Sequence, residues 1–283
     1  MPARLTYVAL VLAVLGRPAA ALRIVSLAPS VTETVFALGL GDQLVGVSSY
    51  CDYPPAAQRI DHVGTFLTPN IEAIVAKRPD VVIALPSPGN QSGVEALRRL
   101  RIRVVLVDPN TIAEIQESFV TIAREVGDEA DGHALTARVD AQMDRVRAHL
   151  AGVPERKVLM VVGQTPLIAV GTGTFQDELI RMAHGINLAA AAGGTWPHLS
   201  LEFAVEAAPD VIIDTTMGNE ERVGAQAAMA FWSAFPAMPA VREHRVFGYK
   251  AYAVLRPGPR IGEAFEDIAR FIHPERFAPA EGQ

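Results

Sequence analysis

The sequence predicts an α/β protein with mainly parallel sheets flanked by helices, arranged as two related lobes. Short apolar strands alternate with amphipathic helices, which is the pattern of parallel strands joined by right-handed crossovers. A 15-residue segment also occurs twice, as NIEAIVAKRPDVVIA (70–84) and SLEFAVEAAPDVIID (200–214), with six identities. This period of 130 residues is too long for a solenoid, so the repeat indicates two related lobes.

Residues 1–21 are predicted to be a signal peptide. Arg4 precedes the apolar run LTYVALVLAVL, which is too short to cross a bilayer as a stable helix, and Ala19-Ala20-Ala21 offers a cleavage site. A retained membrane anchor is the alternative. No cysteine lies at the cleavage point for bacterial lipid attachment. We therefore expect a soluble exported protein.

Composition excludes some partners and some means of stabilisation. Removing residues 1–21 leaves 31 acidic and 23 basic residues, a net charge of −8, so binding to nucleic acid is not expected. Cys51 is the only cysteine and has no partner for an internal disulfide. Half of the residues are hydrophobic, so the core must supply the stability, in one large domain or two smaller ones.

The first part of the chain is predicted to alternate strands and helices. A helix is expected to begin at Ser30, because Ser30 and Glu33 have the spacing of a capping box. Further helices are expected at residues 70–78 and 93–100. The predicted strands are LRIVSLA (22–28), LVGVSS (44–49), DVVIAL (80–85) and RVVLVD (103–108).

From Thr111 the pattern changes to two longer helices. Apolar residues recur at helical spacing from Ile112 to Val126, enough for a rod of about 24 Å, and again from Leu135 to Leu150. The alternation then resumes. The predicted strands are KVLMVV (157–162), DVIID (210–214) and RVFGY (245–249), and the predicted helices are FQDELIRMA (175–183) and LEFAVEAA (201–208).

The loops that follow the strands are the expected ligand site, because ligands of open α/β sheets bind beyond the carboxyl ends of the strands. These loops, which include PSPGNQSG (86–93) and GQTPLIAVGTGTF (163–175), carry few charges. They gather Tyr50, Tyr53, Phe66, Trp196 and Tyr252 in a chain that is only 6% aromatic. This enrichment predicts a flat apolar ligand. For Tyr50 and Trp196, packing in the core of a lobe is the alternative.

Enzyme and metal signatures fail when tested. Neither GLGDQL (39–44) nor GTGTFQ (171–176) completes G-x-G-x-x-G, and there is no P-loop lysine or G-x-S-x-G elbow. The seven histidines lack metal-ligand spacing. His198, two residues after Trp196, stays open as either a ligand contact or an exposed loop residue. We expect a binding protein without cofactor or metal, not an enzyme.

Four segments carry a family resemblance: residues 23–55, residues 70–84, GGTWPHLSLE (193–202) and RPGPRI (256–261). With them the chain resembles the periplasmic vitamin B12 (cobalamin)-binding proteins of ABC importers, within the group that also binds haem and ferric siderophores. The resemblance implies a monomer in the periplasm with the class III architecture of two lobes joined by a single long linker helix. Its implied parts are a signal peptide (1–21), an N-terminal lobe (22–110), a linker helix (111–127) and a C-terminal lobe (128–283).

The same resemblance implies a corrinoid held between the lobes with little hinge closure. Phe66 stands where B12 binders often carry tryptophan, so a π face is kept but the indole N–H is lost. Arg256 suits amide or carboxylate groups of the ligand. The implied lining residues are Pro29, Tyr50, Phe66, Trp196, Tyr252 and Arg256.

Haem and ferric siderophores are the alternative ligands. Haem would need an axial ligand, for which Tyr252 or His198 could serve. A siderophore would favour several cleft arginines, and only Arg256 and Arg260 are evident.

Glu72 and Glu202 occupy the same place in the repeated segment. The resemblance implies that each docks one lobe onto arginines of one subunit of a permease dimer. A carboxylate in the first turn of a helix is favoured by the helix dipole and stays exposed. Simple N-terminal capping of the helix is the alternative role.

Overall fold

The structure is a computed structural model that describes residues 22–216, 221–249 and 252–277, so the predicted signal peptide lies outside the described residues. The predicted α/β class is confirmed. The first sheet is entirely parallel, in the spatial order β2-β1-β3-β4. Its strands are shorter than predicted, because the flanking residues enter loops: β1 (Ile24–Ser26), β2 (Leu44–Val47), β3 (Val81–Ala84) and β4 (Val104–Leu106).

The second sheet repeats this arrangement and adds one antiparallel strand. β7-β5-β8-β9 has the same parallel order as the first sheet, while β6 pairs with the end of β5 in the opposite direction. Part of the segment 163–175, predicted to be a loop, is therefore a hairpin. The strands are β5 (Arg156–Gln164), β6 (Leu167–Ala169), β7 (Gly185–Asn187), β8 (Val211–Asp214) and β9 (Val246–Gly248).

Helices cover the sheets and connect the strands. In the described part of the chain, none is long and apolar enough to cross a membrane. Sequence analysis did not predict the last three helices along the chain, at 221–232, 239–242 and 261–272. The helices are α1 (Pro29–Ala37), α2 (Ile71–Ala76), α3 (Gln91–Arg99), α4 (Ile112–Val126), α5 (Glu129–His149), α6 (Phe175–Met182), α7 (Leu201–Ala207), α8 (Glu221–Trp232), α9 (Pro239–Arg242) and α10 (Ile261–Ile272).

The repeated Pro-Asp pair has the same structural role in both halves. The Asp80 carboxylate accepts a hydrogen bond from the Arg23 backbone N–H at 2.7 Å, and the Asp80 N–H donates to the Arg23 carbonyl at 2.9 Å. Asp210 makes the same two bonds with Lys157, at 2.8 and 2.9 Å. Each aspartate therefore fastens the start of its own strand to the start of the neighbouring one.

The capping box predicted at Ser30 is wrong. α1 begins at Pro29, and its N-cap, Ala28, makes no side-chain capping bond. Proline suits this position because its missing N–H would have no helical partner. At α4, in contrast, Thr111 and Glu114 form a complete capping box. Because Ser30 lies inside the first turn and is not the N-cap, Glu33 is not part of a capping box. Its side chain instead contacts residues of other elements.

Helix α4 contributes to the cores of both halves. Ile115 and Phe119 pack in the core of the second sheet, whereas Ile122 and Val126 pack in the core of the first. One helix that is buried in two cores limits how far the two halves can move apart. The boundaries at 22–110, 111–127 and 128–283 stay predictions.

We expect Phe119→Ala to lower the free energy of unfolding by about 3–5 kcal/mol, because it opens a cavity in a fully buried site. Urea denaturation followed by circular dichroism measures this change. Glu117→Ala, on the exposed side of the same helix, is the control and should change stability by less than about 0.5 kcal/mol. A loss below about 1 kcal/mol for Phe119→Ala would contradict the shared-core role of α4.

Candidate ligand-binding site

Three predicted site residues follow the strands of the first sheet. Pro29 is half-buried at the start of α1, and Phe66 packs half-buried against the core. Tyr50 is 62% exposed. The neighbouring residue Ser49 donates hydrogen bonds from its N–H (2.9 Å) and its hydroxyl (3.0 Å) to the Gly64 carbonyl. The Tyr50 ring is therefore presented to solvent from an anchored loop.

Asn90 ties the Phe66 loop to the loop after β3, and sequence analysis missed it. Its side-chain amide donates to the carbonyls of Phe66 (3.2 Å) and Leu85 (2.9 Å), and its oxygen accepts from the Ser87 N–H at 3.2 Å. It is 1% exposed. The available signal was an asparagine directly before α3, but that position suggests a helix cap, which the side chain does not make.

Trp196 lies in an anchored loop of the second half. Its ring is 46% exposed. On one side the Thr195 carbonyl accepts from the Gly171 N–H at 2.8 Å, and on the other the Pro197 carbonyl accepts from the Ala169 N–H at 3.1 Å. Gly171 is required here, because a Cβ would lie 2.1 Å from the Gly194 carbonyl oxygen. His198, in the same loop, is exposed.

Arg256 joins the second half to the first. Its guanidinium donates to Asp52 (2.5 Å), to Glu33 (3.2 Å) and to the Tyr50 carbonyl (3.2 Å). The structure therefore brings together two predicted site residues, Tyr50 and Arg256, that are 206 positions apart. Tyr252 begins a 3₁₀ helix (Tyr252–Leu255) just before this arginine, and its side chain lies outside the described part of the chain.

Arg260 makes a second connection between the halves. Its guanidinium donates two hydrogen bonds of 2.8 Å to the two carboxylate oxygens of Glu33 and lies 4.0 Å from the centre of the Tyr53 ring. Burial lowers the pKa of Arg260, but the bonds to Glu33 outweigh it and the pKa is raised. Sequence analysis missed Glu33 and Asp52 as site residues, although Glu33 is the only charged residue in α1.

The two repeated glutamates are exposed, each as the second residue of its helix. In α2 the Asn70 side chain accepts from the Ala73 N–H at 3.0 Å, and in α7 the Ser200 hydroxyl accepts from the Phe203 N–H at 3.1 Å. Backbone and Ser200 hydrogen bonds hold the pKa of the Glu202 carboxyl below its usual value. Glu72 and Glu202 thus stand at matching places in the two halves.

No three His, Cys, Asp or Glu side chains among the described residues are arranged to hold a metal ion.

The lone cysteine, Cys51, is buried next to Tyr50. Its sulfur lies 3.1 Å from the Thr32 hydroxyl and 3.2 Å from the Ser48 hydroxyl. Burial raises the pKa of the Cys51 thiol, although these hydroxyls oppose the shift.

The chain matches the family described as periplasmic binding protein over residues 24–253. It belongs to the periplasmic binding protein family. It is therefore a protein that binds small molecules for delivery to ABC permeases, and not an enzyme. It is 31% identical over 226 residues to the vitamin B12-binding protein of Yersinia pseudotuberculosis serotype O:1b, covering 80% of this chain and 79% of that protein.

Two solved structures have the same fold over nearly the whole chain. The periplasmic vitamin B12-binding protein of Vibrio cholerae is 27% identical with a TM-score of 0.76, covering 90% of this chain and 98% of that one. The periplasmic haem-binding protein of Roseiflexus sp. RS-1, in its apo form, is 27% identical with a TM-score of 0.80, covering 91% and 100%. These similarities confirm the predicted family and its class III fold, while the single linker helix at 111–127 stays a prediction.

We expect Cys51 to react with a disulfide reagent such as DTNB at least about a hundredfold more slowly in the folded protein than in concentrated urea. A buried thiol with a raised pKa supplies little thiolate to attack the reagent. Absorbance of the released thiolate at mildly alkaline pH measures both rates. Rapid, complete labelling of the folded protein would contradict the buried position of Cys51.

Proposed function

We propose that this periplasmic binding protein captures a corrinoid, vitamin B12 or a close relative, between its two halves and delivers it to an ABC permease. The observation that carries the proposal is the 31% identity, over 80% of this chain, to a protein named for binding vitamin B12. We further propose export by the signal peptide at 1–21, action as a monomer in the periplasm, and the lobe boundaries given above.

The aromatic loops support a large flat ligand. Tyr50 and Trp196 keep large exposed fractions although their loops are anchored by hydrogen bonds. Exposed aromatic rings on fixed loops are surfaces that a ligand can cover without ordering the chain first. We assign the lining to Pro29, Tyr50, Phe66, Trp196, Tyr252 and Arg256, with the Arg256 N–H groups as donors to amide oxygens of the ligand.

Haem is the second candidate, favoured by the TM-score of 0.80 to a haem-binding protein. Haem iron needs an axial side chain, and Tyr252 and His198 are the residues of suitable type in the site loops. A ferric siderophore is less favoured, because both cleft arginines already bind Glu33.

We expect the mature chain to bind cyanocobalamin with micromolar or tighter affinity in titration calorimetry. Tyr50→Ala and Trp196→Ala should each weaken binding by about tenfold or more, since central aromatic contacts dominate binding energy. Leu100→Ala, which truncates an exposed apolar side chain at the end of α3, is the control and should leave affinity unchanged.

The same titrations with hemin separate the two ligands. Absence of corrinoid binding at micromolar concentration would refute the first candidate. A Soret shift with hemin that disappears in Tyr252→Ala or His198→Ala would establish the second.

We also propose that Glu72 and Glu202 dock the protein onto a dimeric permease. They are exposed and hold equivalent places in the two halves, so they match a partner with two like subunits. Carboxylates of this kind complement arginines and steer association.

We expect the double variant Glu72→Ala/Glu202→Ala to keep its ligand affinity and to lose most ligand transport into vesicles that contain the permease. The control is Glu95→Ala/Glu206→Ala, which removes the same charge from exposed helical sites, one in each half. It should transport like the wild type. Normal transport by the first variant, or equal loss in both, would contradict the docking role.

A further inference from the structure

Two arginines of the second half, Arg256 and Arg260, are bound to carboxylates of the first half. Arg256 contacts Glu33 and Asp52, and Arg260 contacts Glu33 through both carboxylate oxygens. Glu33 has a side chain only 1% exposed, against 10% for Arg256 and 16% for Arg260. In the described part of the chain, two positive and two negative groups therefore meet between the halves.

We propose that Glu33, supported by Asp52, determines ligand charge specificity: it makes the site select neutral ligands rich in amide oxygens and reject ligands that present carboxylates. This inference rests on the proposed corrinoid function and assigns a role in the site to two residues that the proposed lining does not include. In this proposal Glu33 and Asp52 act on specificity indirectly, because they balance the positive charge of Arg256 and Arg260.

The charge balance gives the physical reason. The positive charge of Arg256 is already balanced by Glu33 and Asp52, and a neutral amide oxygen, unlike a carboxylate, brings no negative charge that needs a further counter-charge. A ligand carboxylate beside Arg256 would gain little from guanidinium groups whose charge is already balanced, and it would be repelled by Glu33, which is buried and poorly screened.

The surroundings of Arg260 strengthen this bias. Glu263 lies three residues after Arg260, in the first turn of α10, close enough to interact electrostatically with Arg260 and Glu33. A site in which each arginine already has a counter-charge discriminates by repelling the wrong ligand as well as by binding the right one. Corrin side chains end mostly in amides, whereas haem carries two propionates and many siderophores are anionic.

A matched ligand pair tests this directly. Cyanocobalamin and its monocarboxylate, in which one propionamide is hydrolysed to the acid, are titrated calorimetrically into the wild type, Glu33→Gln and Asp52→Asn. We expect the wild type to prefer the amide by about tenfold, and both variants to reduce that preference to about threefold or less.

Glu155→Gln is the control, because it makes the same charge change at an exposed residue. Glu155 directly precedes β5, so it lies at the end of the strands opposite the loops of the proposed site. It should keep the wild-type preference. Thermal unfolding is recorded for every variant, since Glu33→Gln removes one partner of a buried ion pair. Asp52, with a side chain 41% exposed, supplies the milder variant if Glu33→Gln does not fold.

The outcomes separate the two proposals. A wild type that binds cyanocobalamin without preferring it to the monocarboxylate overturns the specificity role, and so does an unchanged preference in the folded variants. Failure of the wild type to bind either corrinoid overturns the proposed function, and this inference with it. A reduced preference in Glu33→Gln or Asp52→Asn, with the control unchanged, supports the assignment.

Discussion

The contact between the two halves depends on one buried carboxylate, Glu33, which accepts hydrogen bonds from guanidinium groups in a distant part of the chain. A buried carboxylate is costly unless it is paired and hydrogen-bonded, and the partners that satisfy Glu33 are Arg256 and Arg260. Because Glu33 belongs to α1 and Arg260 precedes α10, this requirement positions the two halves against each other. The same contacts bring the Arg256 side chain to the Tyr50 loop, so the proposed ligand site and the contact between the halves share the same residues.

Helix α4 complements this polar contact with an apolar one. Its first turns pack in the core of the second sheet and its last turns in the core of the first, through Phe119 and Ile122 respectively. Protein cores are packed about as densely as organic crystals, so their side chains cannot easily slide past one another. A helix that packs in two cores therefore restricts the movement of the two halves relative to each other. A carrier braced in this way needs a site whose lining is already in place, which agrees with the hydrogen bonds that anchor the Tyr50 and Trp196 loops.

Individual motifs show where prediction from sequence succeeded and where it failed. The buried strands and the matched places of Glu72 and Glu202 were predicted correctly, because periodicity depends on neighbours in the chain. The capping box at Thr111 is seen only in the structure. The capping box at Ser30 was wrong, since the spacing of serine and glutamate is the same whether Glu33 caps a helix or crosses to another element. β6 and β7 were missed because β6 lies in a segment rich in glycine, threonine and proline that was interpreted as a loop, and β7 contains a single large apolar residue, Ile186.

The sequence by itself determined the α/β class, the family, the succession of the main strands along the chain and the aromatic content of the loops that follow them, all of which can be read from local patterns. Only the tertiary structure decided what the charged residues do. Glu33 meets its arginines 223 and 227 positions further along the chain, and Asn90 holds Phe66 from 24 positions away. No periodicity or spacing predicts such pairs, because they arise when whole helices and loops pack together. Once the groups are buried, leaving them unpaired would cost free energy.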